Sequence, residues 1–316
     1  MVHADYIVGI DFGTSHFTGV VGEKTDKGTI SILAEDTEDA SACIRRGCVY
    51  NVTETAKQIK RLVLKLQNKL SPVSGFQIEK VYIGVGGQSL RSIDHSIVKN
   101  IPADAVVSED DIRELDEQCR AYHPELSDIL EIAPPVYYLD NRPTLHPLGI
   151  ACNRIEARYK LIVGRPSIRK FIASSMEHAN IGLAGIIVSP LSLANAMLSR
   201  EEKELGCALI NFGAGVTSVV VYKGGSLVHL SVIPLGSDLI TKDLTTLKLS
   251  EPEAERVKIT YGSALMVTSK EGPVLGTAAN GAKLELDQQD IHVVVEARAK
   301  EIVENVYARE KEAIVP

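Results

Sequence analysis

Short apolar runs bounded by glycine and other turn residues recur along the whole chain. Runs of about four to eight residues of this kind are typical of buried β-strands. The strands predicted in this way cover residues 6–9, 17–21, 29–33, 81–85, 129–132, 136–139, 154–159, 185–190, 207–209, 216–222 and 226–230. A further run at residues 161–164 is predicted to return the chain to its main sheet.

Between these strands, apolar residues recur at intervals of three and four positions, which predicts amphipathic helices. The predicted helices cover residues 53–70, 108–122, 166–178, 191–204, 237–247, 251–265 and 293–311. Ser108 is the expected N-cap of the second, because acidic residues follow it in the first turn. Strands and helices that alternate in this way predict an α/β fold.

One motif occurs twice. The first copy reads I-D-F-G-T-S at residues 10–15, and the second reads I-N-F-G-A-G at residues 210–215. Each copy follows one predicted strand and leads directly into another. The repetition predicts a duplicated architecture whose halves bind one ligand from opposite sides.

The residue types of the motif are suited to a phosphate group. Glycine lets the backbone approach a ligand closely, and successive N–H groups in a tight turn bind anions. The hydroxyls of Thr14 and Ser15 add donors, and Asp11 can hold a hydrated Mg²⁺ through water. A single copy could be a plain β-turn. The two matched copies favour the binding site.

Length and charge narrow the classes of function. At 316 residues the chain is longer than one hydrophobic core usually spans. The net charge of −7, without a block of basic residues, argues against nucleic-acid binding. Five cysteines without metal-ligand spacing and no signal peptide favour reduced thiols in the cytoplasm. The apolar stretch at residues 181–198 contains polar residues and Pro190, which excludes a membrane span.

The order of the motifs resembles the actin, sugar kinase and Hsp70 ATPase superfamily, and within it the bacterial cell-division FtsA family. Three regions carry the resemblance. They are residues 8–15, then residues 211–217 with 224–225 and 232–236, and finally residues 236–243 with 253–258 and 261–262. A small α+β unit between the first helix and residue 161 narrows the resemblance to FtsA, since actin and Hsp70 carry their extra subdomains elsewhere.

The resemblance implies duplicated actin-like (ribonuclease H-like) domains with an inserted SHS2-type α+β subdomain. The first actin-like subdomain would comprise residues 1–80 and 161–190, and the inserted one residues 81–160. Residues 191–240 would form a second actin-like subdomain and residues 241–316 a helical or mixed one, both incomplete.

The resemblance also implies that ATP or ADP, with Mg²⁺, lies between the two motifs. The implied nucleotide-binding residues are Asp11, Gly13, Thr14, Ser15, His16, Asn211, Gly213, Ala214, Gly215, Val216, Glu255 and Lys258. Asp11 would hold the metal through water. A surface ion pair is the alternative for Glu255 and Lys258. Arg298 and Glu301 lie where the family meets its FtsZ peptide, and a solvated helix face is the alternative there.

Two departures from the superfamily pattern change the expectation. Asn211 stands where the superfamily has Asp, and an amide cannot act as a base. Hydrolysis is therefore expected to be slow or absent, although Asn211 could also simply brace the hairpin. The family's final strands, its Gly-Gly adenosine loop and its amphipathic membrane tail do not follow residue 316. A C-terminal truncation that weakens nucleotide occupancy is expected.

As a whole, the resemblance implies an ATP-binding scaffold that tethers FtsZ to the cytoplasmic face of the inner membrane. Such a scaffold would form protofilaments and contact later division proteins through residues 81–160. It would reach the membrane only through the tail. The alternatives are a related actin-like homologue of pilus or microcompartment assembly and a superfamily small-molecule kinase.

Overall fold

The computed structural model of the chain describes residues 6–25, 28–70, 77–265 and 273–314. Its strands are β1 (Tyr6–Phe12), β2 (His16–Lys24), β3 (Ile30–Asp39), β4 (Ile44–Arg45), β5 (Cys48–Val49), β6 (Lys80–Val85), β7 (Arg91–Asn100), β8 (Asp128–Ile132), β9 (Val136–Leu139), β10 (Arg142–Thr144), β11 (Arg154–Gly164), β12 (Gly182–Val188), β13 (Cys207–Phe212), β14 (Thr217–Lys223), β15 (Ser226–Ile233), β16 (Val274–Thr277) and β17 (Lys283–Leu286). Its helices are α1 (Val52–Leu70), α2 (Glu109–Ala121), α3 (Ser167–Ala179), α4 (Ser189–Met197), α5 (Arg200–Leu205), α6 (Asp238–Leu244), α7 (Glu251–Tyr261) and α8 (Gln288–Ile314).

The chain divides into two compact units. Unit 1 comprises Met1–Asn211 and Ser218–Val232, and unit 2 comprises Phe212–Thr217 and Ile233–Pro316. The predicted division into four subdomains is a finer partition, and it stays a prediction.

Unit 1 contains a mixed sheet of five strands in the order β12–β6–β1–β2–β3. The first three strands of the chain form an antiparallel meander, and β6 and β12 add to it in parallel with β1. Helix α1 packs against β2, β3 and α3. It buries the stripe of Ile59, Leu62 and Leu66, while Lys69 on its outer side pairs with Asp36 of β3 at 2.8 Å. The predicted apolar spacing thus places the helix on this sheet.

The inserted α+β unit is built on a second sheet, in which β11 is the central strand. Strand β7 pairs along one edge of β11, and β9 and β8 pair along the other. Helix α2 covers this sheet through Leu115 and Cys119, which lie in one core cluster with Ile155 and Tyr159. Ser108 caps α2 in a capping box with Asp111, as predicted.

The run at residues 161–164 does not return to the first sheet. It continues β11, and Leu161 pairs with Ile132 of β8 and Ile93 of β7. The prediction for this run was wrong because it ended the strand at a charged residue. Lys160 is accommodated in mid-strand by an ion pair with Asp94 at 2.6 Å.

The inserted unit begins and ends at adjacent positions. Arg91, the first residue of β7, is paired with Val163 near the end of β11. Just outside this pair, the N–H of Arg165 donates to Ser89 Oγ at 3.2 Å. The insertion therefore stands on a closed antiparallel stem. Beside the stem, Ser231 of β15 pairs with Arg91, so β13, β14 and β15 extend the same sheet.

Unit 2 is mainly helical. Helices α6, α7 and α8 and the β16–β17 hairpin share a core that includes Leu244, Val257, Ile291 and Val295. The hairpin was not predicted, although Asn280 and Gly281 form a dipeptide that is typical of β-hairpin turns. Gly281 adopts a positive φ of 84° there.

Three predicted helices have different limits in the structure. The last, predicted at residues 293–311, comprises Gln288–Ile314. The helix predicted at residues 191–204 is two helices, α4 and α5, because Ser199 starts a new capping box with Glu202. The helix predicted at residues 251–265 ends at Tyr261. Residues 71–75, whose proline and glycine predict the end of the first helix, lie outside the described residues. Within the described part of the chain, no helix has both the length and the apolar character needed to cross a bilayer.

Candidate functional site

The first repeated motif forms the tight turn between β1 and β2. At Gly13 a Cβ atom would lie 2.6 Å from the carbonyl oxygen of His16. Such a distance excludes any side chain, so glycine is required by the close approach of the backbone. The turn therefore presents main-chain groups and the side chains of Thr14 and Ser15.

The polar side chains of this turn are held by defined partners. Thr14 Oγ1 accepts a hydrogen bond from the N–H of Gly47 at 3.0 Å. Ser15 Oγ lies 3.0 Å from Nδ1 of His16, and the carbonyl of Ser15 accepts from the N–H of Ala40 at 2.9 Å. The structure thus brings together four of the predicted residues (Gly13, Thr14, Ser15 and His16) in one loop.

Asp11 lies one residue before the end of β1. Its Oδ1 accepts a hydrogen bond from Ser189 Oγ at 2.5 Å. Gly84 on β6 leaves the space for this contact, because a Cβ there would lie 2.7 Å from both oxygens. Desolvation raises the pKa of Asp11 above its ordinary value, and the hydrogen bond from Ser189 opposes this shift. The residue remains accessible to solvent, so its carboxyl can still bind a hydrated cation.

The second motif forms an equivalent turn. The N–H of Gly213 donates to the carbonyl of Val216 at 2.9 Å, and a Cβ on Gly213 would lie 2.8 Å from that same oxygen. The match with Gly13 and His16 covers both the residue spacing and the close approach. The predicted duplication therefore extends to the local geometry of the two loops.

The start of α6 supports the second loop from within unit 2. The N–H of Ser237 donates to the carbonyl of Gly213 at 3.0 Å, and that of Asp238 to the carbonyl of Ala214 at 2.8 Å. Because these bonds use the carbonyl side of residues 213 and 214, the loop backbone is fixed before any ligand binds. Gly215 and Val216 complete the same turn and are partly buried.

Asn211 lies next to the last residue of β13 and is exposed. It is the last residue before the boundary between the two units, since Phe212–Thr217 belong to unit 2. Its amide can accept and donate hydrogen bonds, but it carries no charge. It therefore differs in kind from Asp11, which occupies the corresponding position of the first motif.

Glu255 and Lys258 form an ion pair on α7, with 2.6 Å between Lys258 Nζ and Glu255 Oε2. The pair extends beyond one helix face, because Lys258 Nζ also donates to Thr241 Oγ1 at 2.9 Å and Thr241 donates to Glu255. The Lys258 side chain is only 12% exposed. Desolvation raises the pKa of Glu255, but the hydrogen bonds from Lys258 and Thr241 outweigh it and lower the pKa overall. A partly buried network of three side chains thus connects α7 with α6, which goes beyond an ion pair on one helix face.

Arg298 and Glu301 form an ion pair on α8, and Arg298 also reaches α6. Its Nε and Nη2 donate to the two carboxyl oxygens of Asp243 at 2.6 and 3.1 Å, and its Nη1 donates to Glu301. The bidentate geometry shows that Arg298 ties α8 to α6. Glu301 remains half-exposed.

Several residues of the site were missed by the sequence analysis. Ser189, Gly84 and Gly47 contact the first motif from distant chain segments. Thr241 contacts Glu255 and Lys258, and Asp243 contacts Arg298, again from other helices. The roles of all five residues therefore depend on tertiary contacts. Ser189 was placed inside the strand predicted at residues 185–190, but β12 ends at Val188 and Ser189 is the first residue of α4.

The donor set can be tested against a nucleotide with Mg²⁺. Glycine at positions 13 and 213 keeps both turns free of Cβ atoms, as close approach of a phosphate requires. Among the described residues, no group of three or more His, Cys, Asp and Glu side chains could hold a metal directly. Asp11 with a hydrated Mg²⁺ is compatible with this arrangement, since Mg²⁺ keeps most of its water. The residues fit the group.

Solved structures of low sequence identity share the fold of this chain. The chain superposes on a chain of the PilM–PilN type IV pilus biogenesis complex with a TM-score of 0.60 and 17% identity, covering 81% of this chain and 69% of that one. It superposes on MreB5 of Spiroplasma citri bound to ADP with a TM-score of 0.52 and 11% identity, covering 96% and 78%. The fold is that of the actin-like proteins.

Sequence relatives specify the family within this class. The profile "Cell division protein FtsA" matches residues 208–306, and "SHS2 domain inserted in FTSA" matches residues 87–163. The cell division protein FtsA of Bacillus subtilis is 30% identical over 314 residues, which are 97% of this chain and 70% of that protein. FtsA of Porphyromonas gingivalis is 34% identical over 299 residues, 94% of this chain and 62% of that protein. The chain belongs to the FtsA family of cell-division proteins.

Proposed function

We propose that the chain is a nucleotide-binding scaffold of bacterial cell division that tethers FtsZ at the cytoplasmic face of the inner membrane. The proposal rests chiefly on the two loops with matched geometry at residues 13–16 and 213–216. Membership of the FtsA family supports the cellular process. The tethering role itself is inferred from that membership.

ATP or ADP is the proposed ligand of the two loops. Thr14, Ser15 and His16 would donate to phosphate oxygens from the first loop, and the backbone of residues 213–216 would do so from the second. Glu255 and Lys258 would contact the ribose or base. Asp11 would hold Mg²⁺ through water, and the metal would offset the phosphate charge. The ADP in the actin-like neighbour MreB5 supports the choice of ligand.

Nucleotide is proposed to act as a switch, with little or no hydrolysis. A general base must accept a proton from the attacking water, and Asn211 cannot do so. Asp11 keeps a carboxyl in the first loop, but its hydrogen bond from Ser189 already engages one oxygen. The scaffold would therefore keep its bound state for long periods, which suits an assembly component.

The proposed partners are the C-terminal peptide of FtsZ, further copies of the chain in a protofilament, and later division proteins on residues 81–160. The peptide would meet unit 2 at α8, near Arg298 and Glu301. Because Arg298 already bonds Asp243, the half-exposed Glu301 is the residue of the two that is more open to a partner.

Two titrations test the proposal. Fluorescence anisotropy of a labelled FtsZ C-terminal peptide should show saturable binding, and calorimetry with Mg²⁺–ATP should show one site per chain. A Glu301→Gln variant should lower the affinity for the peptide but leave the affinity for ATP unchanged. Glu304→Gln on the same helix is the matched control. A chain that bound ATP but no FtsZ peptide would show the tethering role to be wrong and would favour a different actin-like assembly.

A further inference from the structure

The β4–β5 hairpin (Ile44–Val49) lies directly against the first motif. The N–H of Gly47 donates to Thr14 Oγ1 at 3.0 Å. Ala40, four residues before the hairpin begins, donates its N–H to the carbonyl of Ser15 at 2.9 Å. The segment at residues 40–47 is thus bonded to two consecutive residues of the loop.

The same hairpin contacts the chain where it leaves the first sheet for the inserted unit. The N–H of Gln88 donates to the carbonyl of Arg46 at 3.1 Å. A Cβ on Gly47 would lie 2.8 Å from Cα of Gly87 and 2.9 Å from the carbonyl oxygen of Gly86. A Cβ on Gly87 would lie 2.5 Å from Cys48 Sγ. Two backbones therefore touch without intervening side chains, and a shift of one must displace the other.

The tip of the hairpin has a backbone conformation that few residues adopt. Arg46 and Gly47 have φ values of 50° and 69°. Residue 47 must be glycine both for this φ and for the contact with Gly86 and Gly87. The surrounding contacts fix the conformation, which keeps the N–H of Gly47 directed at Thr14.

The hydrogen bond from Gly47 also sets the orientation of the Thr14 hydroxyl. Since the oxygen accepts from Gly47, its own hydrogen is directed to another acceptor. A phosphate oxygen in the loop is such an acceptor, and hydrogen bonds to charged groups are the stronger ones.

We propose that Gly47 is a positioning residue for Thr14, and that the β4–β5 hairpin transmits phosphate occupancy of the first loop to Gly86–Gly87–Gln88, the start of the inserted unit. The inference rests on the proposed nucleotide binding. It connects the ligand of one part of unit 1 to the part proposed to meet later division proteins.

Hydrogen exchange of the whole chain with and without Mg²⁺–ATP tests the transmission. Binding should slow exchange at residues 11–16 and also at residues 44–50 and 86–90. Thr14→Val should lower the affinity for ATP about tenfold. Even at saturating ATP, this variant should show no slowing of exchange at residues 44–50 and 86–90. Thr14→Ser, which keeps the hydroxyl, should preserve both the affinity and the slower exchange. Thr25→Val removes a hydrogen-bonded hydroxyl elsewhere, 2.7 Å from that of Thr29, and should change neither.

A double-mutant cycle tests whether Gly47 acts through Thr14. Gly47→Ala should lower the affinity for ATP about three- to tenfold in the wild-type background, but less than about twofold in the Thr14→Val background. A simple loss of structure would give equal factors in both backgrounds, which would overturn the positioning role. Protection at residues 11–16 without any change at residues 44–50 and 86–90 would overturn the transmission alone. A wild-type chain that binds no ATP would instead refute the proposed function on which the inference rests.

Discussion

Asp11 and Asn211 occupy the same position in the two repeated motifs, yet they differ in charge and surroundings. Asp11 is bonded to Ser189 and its pKa is raised by desolvation, whereas Asn211 is an exposed amide at the end of β13. The two loops with matched geometry therefore present a carboxyl in one case and an amide in the other. At the residue scale, this asymmetry supports the proposal of a ligand that is held without being turned over.

An Asn211→Asp variant should hydrolyse ATP faster than the wild type by at least about tenfold, because a positioned base typically contributes more than that. Release of inorganic phosphate measures the effect. Asn211→Ala, which removes the amide without adding a carboxyl, is the control and should not exceed the wild-type rate. Equal rates in all three chains would show that residue 211 only braces the hairpin.

Asp111 predicts a pH dependence of the inserted unit. Hydrogen bonds from Lys99 and from the side chain and N–H of Ser108 lower the pKa of Asp111 to about 2. A lowered carboxyl pKa stabilises the fold above the unfolded value, near pH 3.8, and this stabilisation is lost as the pH falls through about 2. Asp111→Asn should therefore cost about 1–2 kcal/mol at pH 7, with the difference from wild type narrowing only below about pH 4.

Hydrogen exchange of the α2 and β7 amides measures this local stability. Asp110→Asn is a suitable control, because Asp110 lies in the same helical turn but is 79% exposed in its pair with Arg113. Its loss should cost less than about 0.5 kcal/mol. A difference between wild type and Asp111→Asn that stayed constant down to pH 2 would contradict the assignment.

At the scale of elements, α8 is fixed to α6 by the bidentate bond between Arg298 and Asp243. Both side chains are about one quarter to one third exposed. The pair therefore lies between the weak surface class and the buried class of ion pairs. The same arginine was predicted to meet a partner, so its structural contribution must be separated from that role.

A double-mutant cycle with Arg298→Gln and Asp243→Asn should give a coupling energy of about 1 kcal/mol in the unfolding of unit 2. Chemical denaturation followed by exchange of the α6 and α8 amides supplies the four free energies. Lys300 and Glu304 on the same helix lie 3.9 Å apart and are mostly exposed, and their cycle should give a value near zero. Additive effects of Arg298→Gln and Asp243→Asn would show that their contact contributes nothing to stability.

The sequence predicted elements best where the local signal and the packing agree. Ser108 and its acidic turn defined α2, and the apolar stripe defined α1. Strand β7 was missed because its apolar residues on the packed face, Ile93 and Ile97, are separated by charged and polar ones. The break between α4 and α5 did have a local signal, the spacing of Ser199 and Glu202 that forms a capping box.

The site was predictable to the extent that it is local. Both loops follow from short motifs, and their geometry needs only a few neighbouring residues. The partners that hold them do not follow in this way. Ser189 reaches Asp11 across 178 positions of the chain, and Gly47 reaches Thr14 across 33. Such pairs depend on the register of strands, which a single sequence does not specify.

At the scale of the whole molecule, the two compact units do not follow the boundaries of the motifs. The second motif is divided, with Asn211 in unit 1 and residues 212–217 in unit 2. The strands that follow it, β14 and β15, belong to unit 1 for most of their length. The chain thus combines a repeated motif with an insertion. The limits of the two compact units reflect the packing of the folded chain and do not coincide with the limits of the repeats.

The antiparallel stem of the inserted unit has a consequence for how the fold tolerates change. Closing a flexible loop of about 70 residues would cost several times RT in chain entropy. Here the ladder between β7 and β11 already holds Arg91 beside Val163. The entropy cost of closing the chain at this point of the host is therefore only that of a short turn. The insertion is therefore exchangeable in thermodynamic terms, and its sequence can diverge without penalty to the host.

Replacing residues 92–162 with an Asn-Gly turn should leave the five-stranded sheet folded and ATP affinity within about threefold of the wild type. Circular dichroism and calorimetry measure the two properties. An insertion of two residues between residues 60 and 61, inside α1, is the control that should unfold the sheet. Loss of ATP binding in the excised chain would show that the insertion is integral to its host. Retention would mean that this unit can be replaced without loss of the host fold.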